Sequence, residues 1–445
     1  MKKLLLLTAI VLLVVVGVFA AACGSGTTTT TAVTTATTAA PSTDTTAAPS
    51  TDTTAAPSTE TTGTTAAAFN TEPVKIGHIV NLTGPEAMIG AGQQKAFDAA
   101  FAAIGGKING KPVEVVTGDA QGSDSAAVDV ARKMVEQDKV VAIVGPTEIG
   151  QKMGVANYLK GVGIPEIIYN PSPSVIFQDN KWAVGSGGTT PMNPTAMADY
   201  LYNVAGIKTI DTLTEDNSAG KSFMDPLTTL FTKLGGQVLT QQWVSEEITD
   251  FSSYLTTLKP ADALVAWEPG GAGIALFTQW YQLGIYKKMP IHAAFHGGFT
   301  DSFIISALPP EVAAAVAAAG TSAPMMYDPN SQDQVNQDFI KQLTPALGFP
   351  PGDDGFSGPY QSAMLLAAAI TATNGDTTPD ALISAIYAAK FTGPEGPESF
   401  VAGQNAALKN VTIVKVAPIP GLTPVTYHYE TLKTYTNVPA DGLTQ

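Results

Sequence analysis

The side chains able to make or break bonds are few in this sequence, and their spacing does not suit catalysis. The four histidines, His78, His292, His296 and His428, fall in no metal-ligand pattern such as HExxH. Cys23 is the only cysteine, and it closes an apolar leader, so no mature nucleophilic thiol is available. Neither a GxSxG elbow nor a phosphate-cradling P-loop occurs. Carboxylates are plentiful, but nothing in the sequence pairs two of them as acid and base. These residues argue against an enzyme, and no cofactor and no metal is called for.

The first 22 residues carry a clearer signal. Lys2 and Lys3 precede an apolar stretch, Leu4 to Phe19, interrupted only by Thr8 and Gly17, and Ala20, Ala21 and Ala22 lead into Cys23-Gly24. That is the layout of a secretory signal peptide. Cys23 then reads as the lipid-carrying residue of a bacterial lipoprotein, with Ala20 where such leaders usually have Leu. An uncleaved anchor, or ordinary cleavage beside an incidental cysteine, are the alternatives. All three place the folded part outside the cytoplasmic membrane. From Thr27 to Thr65 the chain is almost wholly Thr, Ala, Ser and Pro, and AAPSTDTT recurs at 39–46 and 47–54, then as AAPSTETT at 55–62. No face is offered for burial, so residues 23–72 are expected to be an extended disordered tether. The formal charge of −15 argues against nucleic acid as a partner, because such binding rests on clustered Lys and Arg.

Beyond Pro73 the periodicity changes. Val74–Val80 is a short apolar run suited to a buried parallel strand, followed by helical spacing over 93–104. Strands are expected at 113–117, 140–144 and 165–169, alternating with helices at 125–137 and 150–160. The pattern restarts with helices at 194–204, 222–234, 251–258 and 274–283, and strands at 209–213, 238–243, 263–267 and 291–295. Such alternation indicates an α/β fold with parallel sheets, here two successive units. One strong helix at 360–372 and strand-like runs at 411–416 and 425–429 complete them. Two parallel sheets facing each other would make a cleft at the carboxyl ends of their strands, where such sheets take ligands.

Several blocks now carry a resemblance. VKIGHIVNLTGPEAMIGAG (74–92), ARKMVEQDKVVAIVGP (131–146), GVGIP (161–165), TEDNSAGKSF (214–223), GPYQSAMLLAAAI (358–370) and FTGPEGPESF (391–400) follow in order. Together they resemble the branched-chain amino acid-binding (leucine-binding-like) family of type I periplasmic binding proteins, over about 74–430. The resemblance implies two Rossmann-like lobes, 73–192 with about 328–395 and 193–327 with about 396–445. It places crossings near 190–194, 327–330 and 392–397. It implies a substrate-binding lipoprotein that hands a small molecule to an ABC permease and ATPase complex, or alternatively a sensor presenting its closed state to a membrane receptor.

The family's binding residues are only partly matched. Its Gly-Pro-Leu-Ser-Ser loop, which holds a ligand carboxylate, is here Gly145-Pro146-Thr147-Glu148-Ile149. Thr147 keeps one hydroxyl, whereas Glu148 would repel a carboxylate unless it caps the following helix instead. The next turn is Tyr169-Asn170-Pro171-Ser172, an aromatic lead-in resembling the amide- and urea-binding branch, with Asn170 and Ser172 as candidate contacts. Met88-Ile89 stand where an aromatic often flanks the ligand, and Ala219 replaces a frequent Tyr. Trp267 and Glu268 end a strand at the expected cleft mouth, and His296 stands where amino acid binders carry an acid. The expected ligand is therefore an amide, an organic acid or another amino acid-like molecule rather than leucine, isoleucine or valine.

Overall fold

Seven residues, Val74–Val80, form β1; parallel neighbours flank it on both edges, and six residues are buried because helices also cover the sheet. The computed structural model describes residues 72–84, 86–401, 403–421 and 426–444; Cys23, the leader and the Thr-rich stretch lie outside the described residues. β1 belongs to a six-stranded sheet with β2 (Lys107–Ile108), β3 (Lys111–Asp119), β4 (Ile143–Val144), β5 (Glu166–Ile168) and β6 (Ala183–Gly185), in the order β2-β3-β1-β4-β5-β6. All are parallel except β2, which folds back on β3. The crossovers are α1 (Ala87–Ala103), α2 (Asp124–Lys133) and α3 (Ile149–Val162). α2 shows why its sequence is helical: Ser123 accepts a hydrogen bond from the Ala126 amide at its start, Asp124 sits in the first turn, and Arg132 and Lys133 in the last.

A second parallel sheet is built from β7 (Thr209–Glu215), β8 (Gln237–Val244), β9 (Ala263–Trp267) and β10 (Ile291–Ala293), in the order β10-β9-β7-β8. Its helices are α4 (Met192–Asp199), α5 (Ser218–Lys233), α6 (Ser252–Thr256) and α7 (Gly270–Gln282), followed by α8 (Ser302–Ala307) and α9 (Pro310–Ala318). The mixed α/β architecture with parallel sheets matches the fold class expected from the sequence. In each sheet the strand order reverses beside the first strand, at β1/β4 and at β7/β9. Those are the crevices in which open α/β sheets hold ligands.

The last third of the chain adds an antiparallel sheet. It comprises β11 (Ser322–Met325), β12 (Phe391–Gly393), β13 (Gly396–Phe400), β14 (Ala407–Pro418) and β15 (Tyr427–Val438). Val425, expected to begin the last run, lies outside the described residues. Between β11 and β12, α10 (Gln334–Leu347) and α11 (Asp354–Ala372) return to pack on α1, and α12 (Pro379–Ala388) packs on α11. β14 lies against α4 and α9. At 392–397, where the resemblance places a crossing, the chain makes the tight hairpin of β12 with β13, Gly396 adopting φ 89° at the turn.

Beside this hairpin lies a buried ionic cluster. Lys409 on β14 reaches Glu395 at 2.5 Å and Glu398 at 3.7 Å. Ser357 and Gln361 of α11 donate to Glu395 and Glu398, and Ser186, just past β6, also donates to Glu398. Segments far apart in the chain thus meet on two carboxylates.

Candidate functional site

Two glycines bring the helix that follows each lobe's first strand, α1 and α5, close to the end of that strand. A Cβ on Gly90 would lie 2.0 Å from the Asn81 carbonyl oxygen, and one on Gly220 would lie 2.2 Å from that of Glu215. Only hydrogen fits at either place. The strand ends are held open as crevices, and between them lies a cavity of about 500 Å³ walled by both lobes.

On the first wall, Thr147 follows the cis Gly145-Pro146 bond and donates its hydroxyl to Gln93 Oε1 at 2.9 Å; the Tyr169 hydroxyl lies 3.0 Å from the Thr147 oxygen. Asn81 fixes the neighbouring loops, its Oδ1 accepting from Gly122 N and Gln151 Nε2. Glu148 occupies the start of α3, but its carboxyl makes no capping bond there. It is hydrogen-bonded to Glu86 instead. Burial first, then that bond and the Glu148 charge, push the Glu86 carboxyl up to about 9. Of the two roles the sequence left open for Glu148, capping α3 is thus not the one it takes; it forms a carboxyl pair on the cavity wall instead. Lys152, one turn further along α3, is buried, and loss of hydration lowers it to about 8 against the opposing pull of Glu148, Glu166 and Glu86.

The second wall is aromatic and acidic. Phe223 of α5 stacks on Phe295 with centroids 4.3 Å apart, and Trp267 meets Phe223 edge-on at 4.9 Å. The Trp267 indole N–H donates to the Gly297 carbonyl at 2.8 Å, which fixes the ring. Asn217 caps α5 through Gly220 N, and its amide nitrogen donates to both Glu215 and Glu246 at 2.8 Å. Glu215 is raised by burial and by the charges of Glu246 and, across the cleft, Glu148, against the lowering bond from Asn217.

Of the nine candidate contacts, Ile89, Thr147, Glu148, Asn170, Ala219 and Trp267 lie on the cavity wall; the Met88 side chain lies outside the described part. Three do not. Ser172 is fully buried, turning its hydroxyl back to the Asn170 carbonyl. Glu268 lies behind the wall, fully buried, neither of its carboxyl oxygens hydrogen-bonded among the described residues. His296 is also fully buried, its Nδ1 against the Thr300 hydroxyl and its Nε2 2.9 Å from Asp301. Burial lowers it, but the Asp301 carboxylate, with Asp354 and Asp353 beyond, outweighs that and raises it to about 9. His296 therefore holds Asp301, and it is Asp301 that faces the cavity. Sequence reasoning missed Glu86, Gln93, Glu215, Phe223, Phe295 and Asp354 on the wall. A usable signal existed for Glu215, which ends β7 where ligands sit, but not for Glu86, which precedes α1 in an irregular loop.

One group has spacing a metal could use: ligand atoms of His296, Asp301 and Asp353 lie within 4.8 Å of one another. Since His296 is already paired with Asp301 and Asp353 accepts from the Ser302 hydroxyl, the arrangement is accounted for as an internal ion pair with its hydrogen bonds. No helix among the described residues is long and apolar enough to cross a membrane.

A family model described as periplasmic binding protein matches residues 73–418. The chain is 24% identical to Leu/Ile/Val-binding protein homolog 6 of Brucella melitensis over 383 residues, covering 85% of this chain and 95% of that one. Among solved structures, a solute-binding protein of an ABC transporter from Rhodopseudomonas palustris BisB5, in complex with 3,4-dihydroxybenzoic acid, superposes with a TM-score of 0.74. It is 23% identical and covers 83% of this chain and 98% of its own. A leucine-binding protein from Thermotoga maritima gives a TM-score of 0.69 at 21% identity, covering 82% and 99%.

Proposed function

The chain belongs to the periplasmic binding protein family, and from that premise we propose that it captures a small molecule between its lobes and delivers it to an ABC importer. The observation that carries this reading is the cavity at the carboxyl ends of both parallel sheets, walled from each side. A pocket of that volume suits a single small organic molecule. Lobe closure around the ligand is the hinge motion of this architecture, and the closed form is what a permease would recognise. Ile89, Thr147, Glu148, Asn170, Ala219 and Trp267 are the proposed contacts, with Glu86, Glu215, Phe223, Phe295 and Asp301 added. Cys23 is proposed to carry a lipid that holds the protein at the outer face of the cytoplasmic membrane, the Thr-rich stretch giving it reach.

Ligand capture is tested by thermal unfolding of the purified protein against a metabolite panel of amino acids, amides, amines and aromatic acids. A ligand bound only by the native state stabilises it by RT ln(1 + [L]/Kd), about 2.7 kcal/mol at a hundredfold excess over Kd. The expected result is a rise in Tm for one chemical class, together with a smaller radius of gyration in solution scattering. A panel that leaves both quantities unchanged refutes the reading.

A further inference from the structure

The lining of the cavity is unequal in charge. Seven carboxyl groups face it, Glu86, Asp124, Glu148, Glu215, Glu246, Asp301 and Asp354, against the single ammonium of Lys152. Of the seven, only Asp301 is ion-paired among the described residues. They come from both walls: Glu86, Asp124 and Glu148 belong to the first lobe, while Glu215, Glu246 and Asp301 belong to the second. Across the gap the Glu148 charge raises the Glu215 carboxyl, and the Asp301 charge adds to the causes that keep Glu86 protonated.

An anionic ligand has little to meet here. The loop at 147–149, whose counterpart in the family resemblance holds a carboxylate, presents Glu148. Lys152 is only 1% exposed, its Nζ turned toward the Pro171 carbonyl at 3.5 Å. Beside the carboxylates stands the Phe223–Trp267–Phe295 wall. Aromatic faces combined with carboxylates are the arrangement that holds an ammonium group, by attraction to the ring faces and by direct charge pairing. Three rings also offer apolar area that a bare metal ion would leave unused.

The geometry points to a small organic cation as the ligand, an ammonium group carried on an apolar body, held between carboxylates of both lobes and against the three-ring wall. This rests on the solute-capture reading above and names its substrate class. It also gives closure a cause. With no cation present, like charges on the two walls oppose approach; a bound cation removes that opposition and pairs with both sides.

The test is titration calorimetry of the purified protein with probes matched in shape and opposite in charge: benzylamine and benzyltrimethylammonium against benzoate, and isoamylamine against isovalerate and leucine. The expected result is binding of one or more cations at least tenfold tighter than the matched carboxylate. Glu148→Gln and Glu215→Gln should each weaken that cation tenfold or more, and Phe295→Leu should weaken the aromatic cations more than isoamylamine. Tighter binding of benzoate, strengthened by Glu148→Gln, would overturn the cation assignment and leave solute capture standing. Cation binding indifferent to both Gln variants would place the cation elsewhere and overturn the assignment too. If no member of either series binds, the cation assignment falls, while the capture reading is decided separately by the metabolite panel above.

Discussion

Glu268 follows β9 directly in full burial, with Glu215 as its charged neighbour. Burial first, then the Glu215 charge, raises its carboxyl from the ordinary 4.5 to about 9. Between those two values the folded chain holds a proton that the unfolded chain has released. The folded state is therefore favoured below pH 4.5, and this contribution is lost as the pH climbs toward 9. Glu268→Gln keeps the shape and has no proton to lose. It is expected to raise unfolding free energy at pH 8 by more than about 1 kcal/mol, since a tenfold change in proton affinity is worth about 1.4 kcal/mol, and to change it little at pH 4. Urea midpoints at the two pH values decide the matter; equal gains at both would mean that ionisation is not the cause. Nothing at the level of sequence distinguishes Glu268 from an exposed acid at a strand end. Its neighbour Trp267 is legible because a large aromatic at that position has few alternatives to a wall.

At the scale of elements, the cluster around Lys409 ties β14, the β12–β13 turn, α11 and the segment after β6 into one point. Lys409→Met would leave Glu395 and Glu398 buried without a counter-charge, which typically costs about 3–5 kcal/mol. Combining it with Glu395→Gln and Glu398→Gln should recover most of that loss, as read by denaturant midpoints. A triple variant as unstable as the single one would show that packing, not charge, is at stake. None of this was readable beforehand, because the partners are separated by up to 223 residues, from Ser186 to Lys409. The strands and helices themselves were legible where periodicity was undivided. β9 runs over the expected 263–267, and β7, β8 and α5 differ from expectation only at their ends. The run 140–144 loses its first residue because the Val140 amide donates to the Met134 carbonyl, closing a wide turn after α2; Val141 and Ala142 already bond to β1, and β4 proper is Ile143–Val144. α8 and α9 escaped notice for another reason. Pro309-Pro310 reads as a break, yet Pro310 is the first residue of α9, where its missing N–H costs nothing. The alanine-rich run after it has no polar face to set a helical period.

For the whole molecule, alternation of strands and helices made the parallel α/β class legible, since parallel strands joined by helices leave few topologies, but it did not fix the strand order. The site was legible only as far as the loops that end strands, which is why Thr147, Asn170 and Trp267 lie on the wall. Glu86 and Asp354 come from the irregular start of α1 and the start of a helix 268 positions later, and only folding makes them neighbours of one cavity. The acid facing on both walls has a further consequence for time rather than for affinity. A concave, negatively charged mouth focuses its field outward and draws a cation in from beyond contact distance, over the Debye length of about 8 Å at physiological salt. Encounter with such a ligand should therefore slow steeply as salt rises, while escape from the closed form, where solvent no longer intervenes, should change little. Stopped-flow tryptophan fluorescence at several salt concentrations would separate the two; an encounter rate that ignores salt would mean the mouth carries no such field. In dilute surroundings this protein would work as a funnel for its cargo, and in brine only as a trap.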